Sequence, residues 1–227
     1  MNKKILLVLL AVVLTASYAQ AQLTFGARAG LNLTNMKMKT GSFSMSPDMK
    51  AGIQLGVVAE YGLSDAFFIQ PGLLFAQQGC KMEMSESYMG ESMKSSDKMT
   101  LNYLQIPVNA QYKVGLGNMK LLLQAGPYLG FAISGKEKGE TTYSYGGEKE
   151  TEKYNEKIDF KEDGWKRFDF GLGIGAGLQF GNIQAGLGYN LGLANIADSD
   201  DDIEFSSGKT KTNNNGIVLT VTYFFGK

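Results

Sequence analysis

The residues of this chain best equipped for chemistry fall in a few places, and none is a histidine, because the sequence holds none. An acidic run, DSDDDIE, sets Asp198, Asp200, Asp202 and Glu204 on alternate positions. Their carboxylates are hard oxygen ligands of the kind that hold calcium. The run lacks the glycine and spacing of a helix-loop-helix calcium site, so a plain acidic loop is the first reading. Cys80, Met82 and Met84 offer soft sulfur at the same spacing, the ligand class that selects copper(I). Nine methionines lie between Met36 and Met99, and simple packing of one loop on another accounts for them equally well. Gly171, Gly173 and Ala176 fit a loose dinucleotide fingerprint. That motif must follow a strand and open a helix, and here it lies inside a strand pattern. Arg28 and Glu60 are charges set in otherwise uncharged segments. They pair as filler or mark a polar path. Glu60 and Asp169 fall on different segments, and the commonest general base is missing. The expectation is a protein without catalysis and without a cofactor.

What must position these residues is a run of alternating segments. In DFGLGIGAGLQF, residues 169–180, four glycines take every second place and apolar side chains take the rest. A period of two means a strand, with successive side chains on opposite faces. Seven other segments share the design, at about 23–33, 53–61, 67–76, 104–112, 121–131, 183–193 and 217–225. Each approximates the 9–11 residues of a tilted strand crossing a bilayer. Short turns near Ser64-Asp65, Gly115 to Asn118 and Gly181-Asn182 alternate with long connections at about 34–50, 79–100, 134–167 and 195–213. That alternation predicts an all-β, eight-stranded, antiparallel up-and-down transmembrane barrel.

The first 21 residues read as a cleaved signal peptide: Lys3 and Lys4, an apolar run from Ile5 to Leu14, then Ala19-Gln20-Ala21. Residues 22–227 then form one barrel domain. Removing Lys3 and Lys4 leaves 20 basic against 22 acidic residues, which argues against a nucleic-acid partner. The lone Cys80 cannot form an internal disulfide.

Charge decides which face points inward. Of 44 charged residues, 35 lie in the four long connections. The polar stripe of the strands is glycine, glutamine, asparagine and threonine. It is too poor in charge for a water-facing surface and suits a crowded lumen. The apolar stripe carries Phe25, Tyr61, Phe67, Tyr112, Phe180, Tyr223 and Phe225 near the short turns, as one interfacial girdle. Phe75, Phe131 and Phe168 would form the other, with Trp165 just above it. Glycines on strands one, six and seven leave room for Arg28, Glu60, Tyr128 and Phe224. Pro71, Pro107 and Pro127 lie within strands, where bulges are the expected accommodation. The run GEKETEKYNEKIDFKEDG reads as a solvated, mobile loop, or as a docking surface for a protein or for lipopolysaccharide through bridging cations.

The stretches FGARAGLNLTN, LNYLQIPVNAQYKV, LLLQAGPYLGFAIS, FDFGLGIGAGLQF and GYNLGLANI resemble the PorT-like, porin-family outer-membrane barrels of Bacteroidota. The resemblance implies the outer membrane; the eight-strand count with short turns at one end places both termini on the periplasmic side and the long loops outside. The partners that the resemblance implies are outer-membrane lipid and lipopolysaccharide, the assembly machinery, and a surface or secretion-system protein. It implies no single activity. A surface-interaction or structural role leads; a secretion accessory, a narrow channel and a soluble lipocalin-like carrier are the alternatives.

Overall fold

The computed structural model describes residues 23–40, 43–88, 91–197 and 210–226. The signal-peptide segment and the acidic run at 198–204 lie outside them. Ten strands follow in chain order: β1 (Leu23–Thr40), β2 (Phe43–Met45), β3 (Asp48–Gly62), β4 (Phe67–Tyr88), β5 (Glu91–Leu116), β6 (Met119–Tyr145), β7 (Glu148–Lys157), β8 (Phe168–Phe180), β9 (Ile183–Gly192) and β10 (Thr210–Phe225). Eight of them, all but β2 and β7, pair antiparallel with their neighbours, and β10 closes on β1 to make a ring. Closure removes the sheet edges from the ring.

The pleat is oriented as charge alone predicts. Leu172, Ile174 and Leu187 are 50, 67 and 54% exposed, while Gln184 is 3% exposed. The outward stripe is apolar and the inward stripe polar, the reverse of a soluble ligand carrier. Phe25, Phe67, Tyr112, Phe180, Tyr223 and Phe225 ring the short-turn end from outside, with Phe67 on Tyr112 at 4.9 Å and Tyr223 on Phe225 at 5.6 Å between ring centres.

The inward glycines of β8 admit what lies opposite. A Cβ on Gly171 would come within 2.7 Å of the Tyr128 ring, and one on Gly173 within 2.9 Å of Asn190 Oδ1. The β8–β9 ladder also stacks glycine on glycine, 175 on 188 and 177 on 186, so these strands can fit a lumen of small radius.

Two expectations need correction. The prolines do not sit in bulges. Register runs unshifted past Pro71, Pro107 and Pro127, while the β4–β5 and β5–β6 ladders skip the pairs beside Pro107 and Pro127, where the missing N–H has no ladder bond to give. Two shifts of register do occur elsewhere: one between Met49 and Gln54 on the β3–β4 ladder, and one at Ile133, where Asn102 faces Ser134 but Tyr103 faces Ala132. The second correction concerns 79–100 and 134–157, which are not loops. β4, β5 and β6 continue 22, 26 and 27 residues without a break, and β7 adds to the free side of β6. Four strands thus stand beyond the ring at the long-loop end.

Candidate functional site

The lumen is organised in layers along its axis. Nearest the short turns, the Lys113 ammonium donates to Glu60 at 2.6 Å and to Gln179 Oε1 at 2.7 Å. The two ionised side chains are 1 and 2% exposed. Rings of Phe68 and Phe224 flank the ammonium at 4.4 and 5.8 Å. Arg28 donates to Gln70 and, through Nε at 2.9 Å, to Thr222. Gln70 in turn donates to Glu60 at 3.2 Å and to Gln184 at 3.1 Å. Arg28 and Glu60 therefore share one network, joined through Gln70. Such a network is costly unless every member is satisfied. Lys113 completes it and was missed from sequence. It follows Tyr112, where the apolar stripe ends at the girdle, yet the alternation that turns Tyr112 out turns Lys113 in.

Above this network lies a cavity of about 50 Å³, bordered by Arg28, Gln54, Gln105, Asn109, Tyr128 and Asn190. That is room for a few waters. Gln105 Nε2 finds no hydrogen-bond partner here among the described residues. Higher still, Asn214 donates to the Tyr103 hydroxyl at 3.1 Å and to Asp169 at 3.0 Å.

The long-loop mouth is closed by apolar packing. Segment 158–167 leaves β7 and folds across it, burying Ile158 and Phe160 against Leu101, Tyr103, Ala132 and Ile196. Backbone bonds pin the segment at both ends: Ile158 donates to Gly135 at 3.1 Å, Ala132 to Arg167 at 2.7 Å, and Lys166 to Ile196 at 2.8 Å. The Arg167 guanidinium lies 4.2 Å from the Phe160 ring and donates to the Ala132 carbonyl. Trp165 is drawn into this cap and does not stand over the outer girdle as sequence reasoning placed it.

The cap also takes up the soft-ligand candidates. Met36, Met38, Met99 and Cys80 all pack in it. Met82 and Met84 continue up the same face of β4, 38 and 57% exposed. Successive members of that row are about 7 Å apart along a strand, and Cys80 is buried in the cap while Met84 is exposed. Among the described residues no group of three or more His, Cys, Asp or Glu is arranged to hold a metal; Asp198, Asp200, Asp202 and Glu204 lie outside them.

Cys80 is 2% exposed, and burial, reinforced by the Glu137 carboxylate, pushes its thiol up to about 11. The thiolate is the reactive form. Maleimide labelling of the native protein at pH 7 should therefore run at least ~100-fold slower than labelling of the unfolded chain. Equal rates, read by mass spectrometry, would refute the closed cap.

The protruding sheet segregates charge by face. Register aligns Lys81, Lys98 and Lys138 in one row, Lys136 with Lys157 in the row below, and Glu140 with Lys153 in the row above. The opposite face carries Asp97, Glu137, Glu150, Glu152 and Glu156, with Met82, Met84, Met93 and Tyr143 between them. Tyr154 donates to Asp97 there at 2.8 Å, in space that Gly139 leaves open. No lysine or arginine of the protruding parts of the four strands falls on that acidic face among the described residues.

The family model described as "Outer membrane protein beta-barrel domain" matches residues 18–198. Among solved structures, the chain is similar to Neisserial surface protein A (NspA) at 14% identity, covering 88% of this chain and 97% of that one, with a TM-score of 0.37. It is similar to Ail, the attachment invasion locus protein of Yersinia pestis, at 13% identity, covering 88% and 98%, with a TM-score of 0.35. It is also similar to the outer membrane enzyme PagL at 11% identity, covering 87% and 98%, with a TM-score of 0.39. A search of curated proteins finds no match.

Proposed function

The chain belongs to the outer membrane protein beta-barrel domain family, and from that premise we propose a closed, non-catalytic barrel that presents a rigid charged sheet at the cell surface. The short turns and both termini then face the periplasm, and the long-loop end faces outward. One observation carries the reading. The lumen is blocked twice, by the Glu60–Lys113 network and by the apolar cap, while β4 to β7 extend well past the ring. A barrel evolved to conduct would spend its length on an open lumen. This one fills the lumen and spends its strands outside.

The narrow-channel alternative fits this interior poorly, since the cavity of about 50 Å³ lies between the Glu60–Lys113 network and the apolar cap. Purified protein in planar bilayers should be electrically silent at moderate voltage. Steady, reproducible openings would refute the closed-barrel reading. The secretion-accessory alternative rests on the Bacteroidota resemblance alone. Recovery of a stable secretion complex with the intact protein, lost when 136–157 is replaced by a short turn, would favour it and give the sheet a specific partner.

A further inference from the structure

We propose that the lysine face of the protruding sheet binds the phosphate groups of the surrounding outer-leaflet glycolipid. This rests on the orientation given above, with the long-loop end outward.

The face is continuous with the lipid-facing stripe. On β5 the outward residues run Val108, Ile106, Leu104, then Asn102, Thr100, Lys98, Ser96 and Lys94, with no change of register along the β4 pairing. Up to Leu104 the stripe is exposed and apolar; beyond it the same stripe becomes hydroxyl, amide and ammonium. On β6 the bulge at Ile133 shifts the phase once, so that Ser134, Lys136 and Lys138 come out on this face beside Asn102, Thr100 and Lys98. Without that extra residue, β6 would turn Glu137 outward and Lys136 and Lys138 over the mouth. The bulge therefore sets which charge overhangs the membrane.

Height and reach also match. From the outer girdle at Phe131 to Lys136 is about 10 Å along the membrane normal, taking ~3.3 Å per residue on a tilted strand. A lysine stem reaches down several ångströms while keeping its head in polar surroundings. The lowest row can thus meet the headgroup layer, and the rows above it meet anionic sugars that rise from it.

The charge is available. Glu83 and Glu140 are the only carboxylates on this face of the four strands among the described residues. They pair with Lys81 and Lys153. Lys94, Lys98 and Lys138 are exposed and, with Lys153, border a shared hollow on this side of the sheet. Ammonium groups are compact phosphate binders, and clustered lysines beside a membrane surface add their attraction to anionic lipid. The acidic face opposite would be repelled by the same surface. The two faces together orient the sheet, basic side down toward lipid and acidic side over the mouth.

The test uses the full-length protein, reconstituted with phosphorylated lipopolysaccharide or with the same lipid after enzymatic dephosphorylation. Bound glycolipid is counted by native mass spectrometry after detergent exchange. Wild type should retain the phosphorylated form at least fivefold better, and 0.5 M salt should remove most of the difference. The variant Lys98→Gln, Lys136→Gln, Lys138→Gln, Lys157→Gln should retain both forms equally, with an unchanged circular dichroism spectrum. Equal retention of the two forms by wild type overturns the proposal, whatever the variant does. So does full retention by the variant, or stacked copies in crosslinking, basic face on acidic face. Labelling intact cells with a membrane-impermeant amine reagent reports orientation separately. Unlabelled sheet lysines would refute the outward orientation, whereas labelled lysines with equal retention would refute the lipid contact alone.

Discussion

Replacing Glu60 with alanine is expected to destabilise the folded barrel by about 3–5 kcal/mol, the usual cost of stranding a buried charge. The carboxylate is 2% exposed and accepts from Lys113 at 2.6 Å. It also takes a hydrogen bond from Gln70, which accepts from Arg28. The substitution takes the carboxylate away from two cations that share one narrow lumen with amides, a hydroxyl and ring faces. The attraction lost is large because water cannot enter to replace it. The double variant Glu60→Leu, Lys113→Met should recover most of the loss, since a matched apolar pair often equals a buried ion pair. Guanidinium unfolding in lipid vesicles, followed by circular dichroism, measures both. A single-variant loss below about 1 kcal/mol would mean that the network is wet or that its charges are held elsewhere.

The second large effect lies on the opposite face of the wall. Ile174 is 67% exposed at the middle of β8. Arginine there should cost about 2–4 kcal/mol in a bilayer, because the midplane of the apolar band is the least tolerant depth. Arginine at Thr142, high on the protruding sheet, should be near neutral. Equilibrium unfolding of the two variants in the same vesicles makes the comparison. If Ile174→Arg were as harmless as Thr142→Arg, the apolar stripe would not face hydrocarbon.

The barrel could be read from the chain because each strand states its own two faces. Gly171, Gly173, Gly175 and Gly177 mark one side of β8 without reference to any other strand. Direction was the harder matter, and the poverty of charge on the polar stripe decided it. What escaped was of two kinds. The extensions of β4 to β6, and β7 itself, are dense in charge and fall within the long connections of the sequence reading. Yet EKETEKYNEK alternates glutamate with lysine, a period as clear as that of β8. Charge density says only that a segment meets water; its period says how it is folded. The interior network escaped for another reason. Arg28, Glu60, Gln70, Lys113, Gln179 and Gln184 come from six strands, and only the stagger between neighbouring strands brings them to one depth. No local pattern carries that stagger. The cap belongs to the same class: Ile158 and Phe160 look like stray apolar residues in an acidic stretch until β1, β4 and β5 are set beneath them.

One strand carries a consequence for how molecules of this protein behave when crowded together. β7 leaves its outer border unpaired among the described residues, and such a border is an invitation to fibre growth or to unwanted dimers. Two identical borders can meet only about a twofold axis perpendicular to the sheet, which sets residues of the same pleat face opposite each other. Glu148, Glu150, Glu152 and Glu156 share one face of β7, and Lys149, Lys153 and Lys157 share the other. Whatever the offset, a twin strand brings acid toward acid and base toward base, an arrangement that repels. The same spelling that makes β7 a strand thus keeps it from templating its own kind.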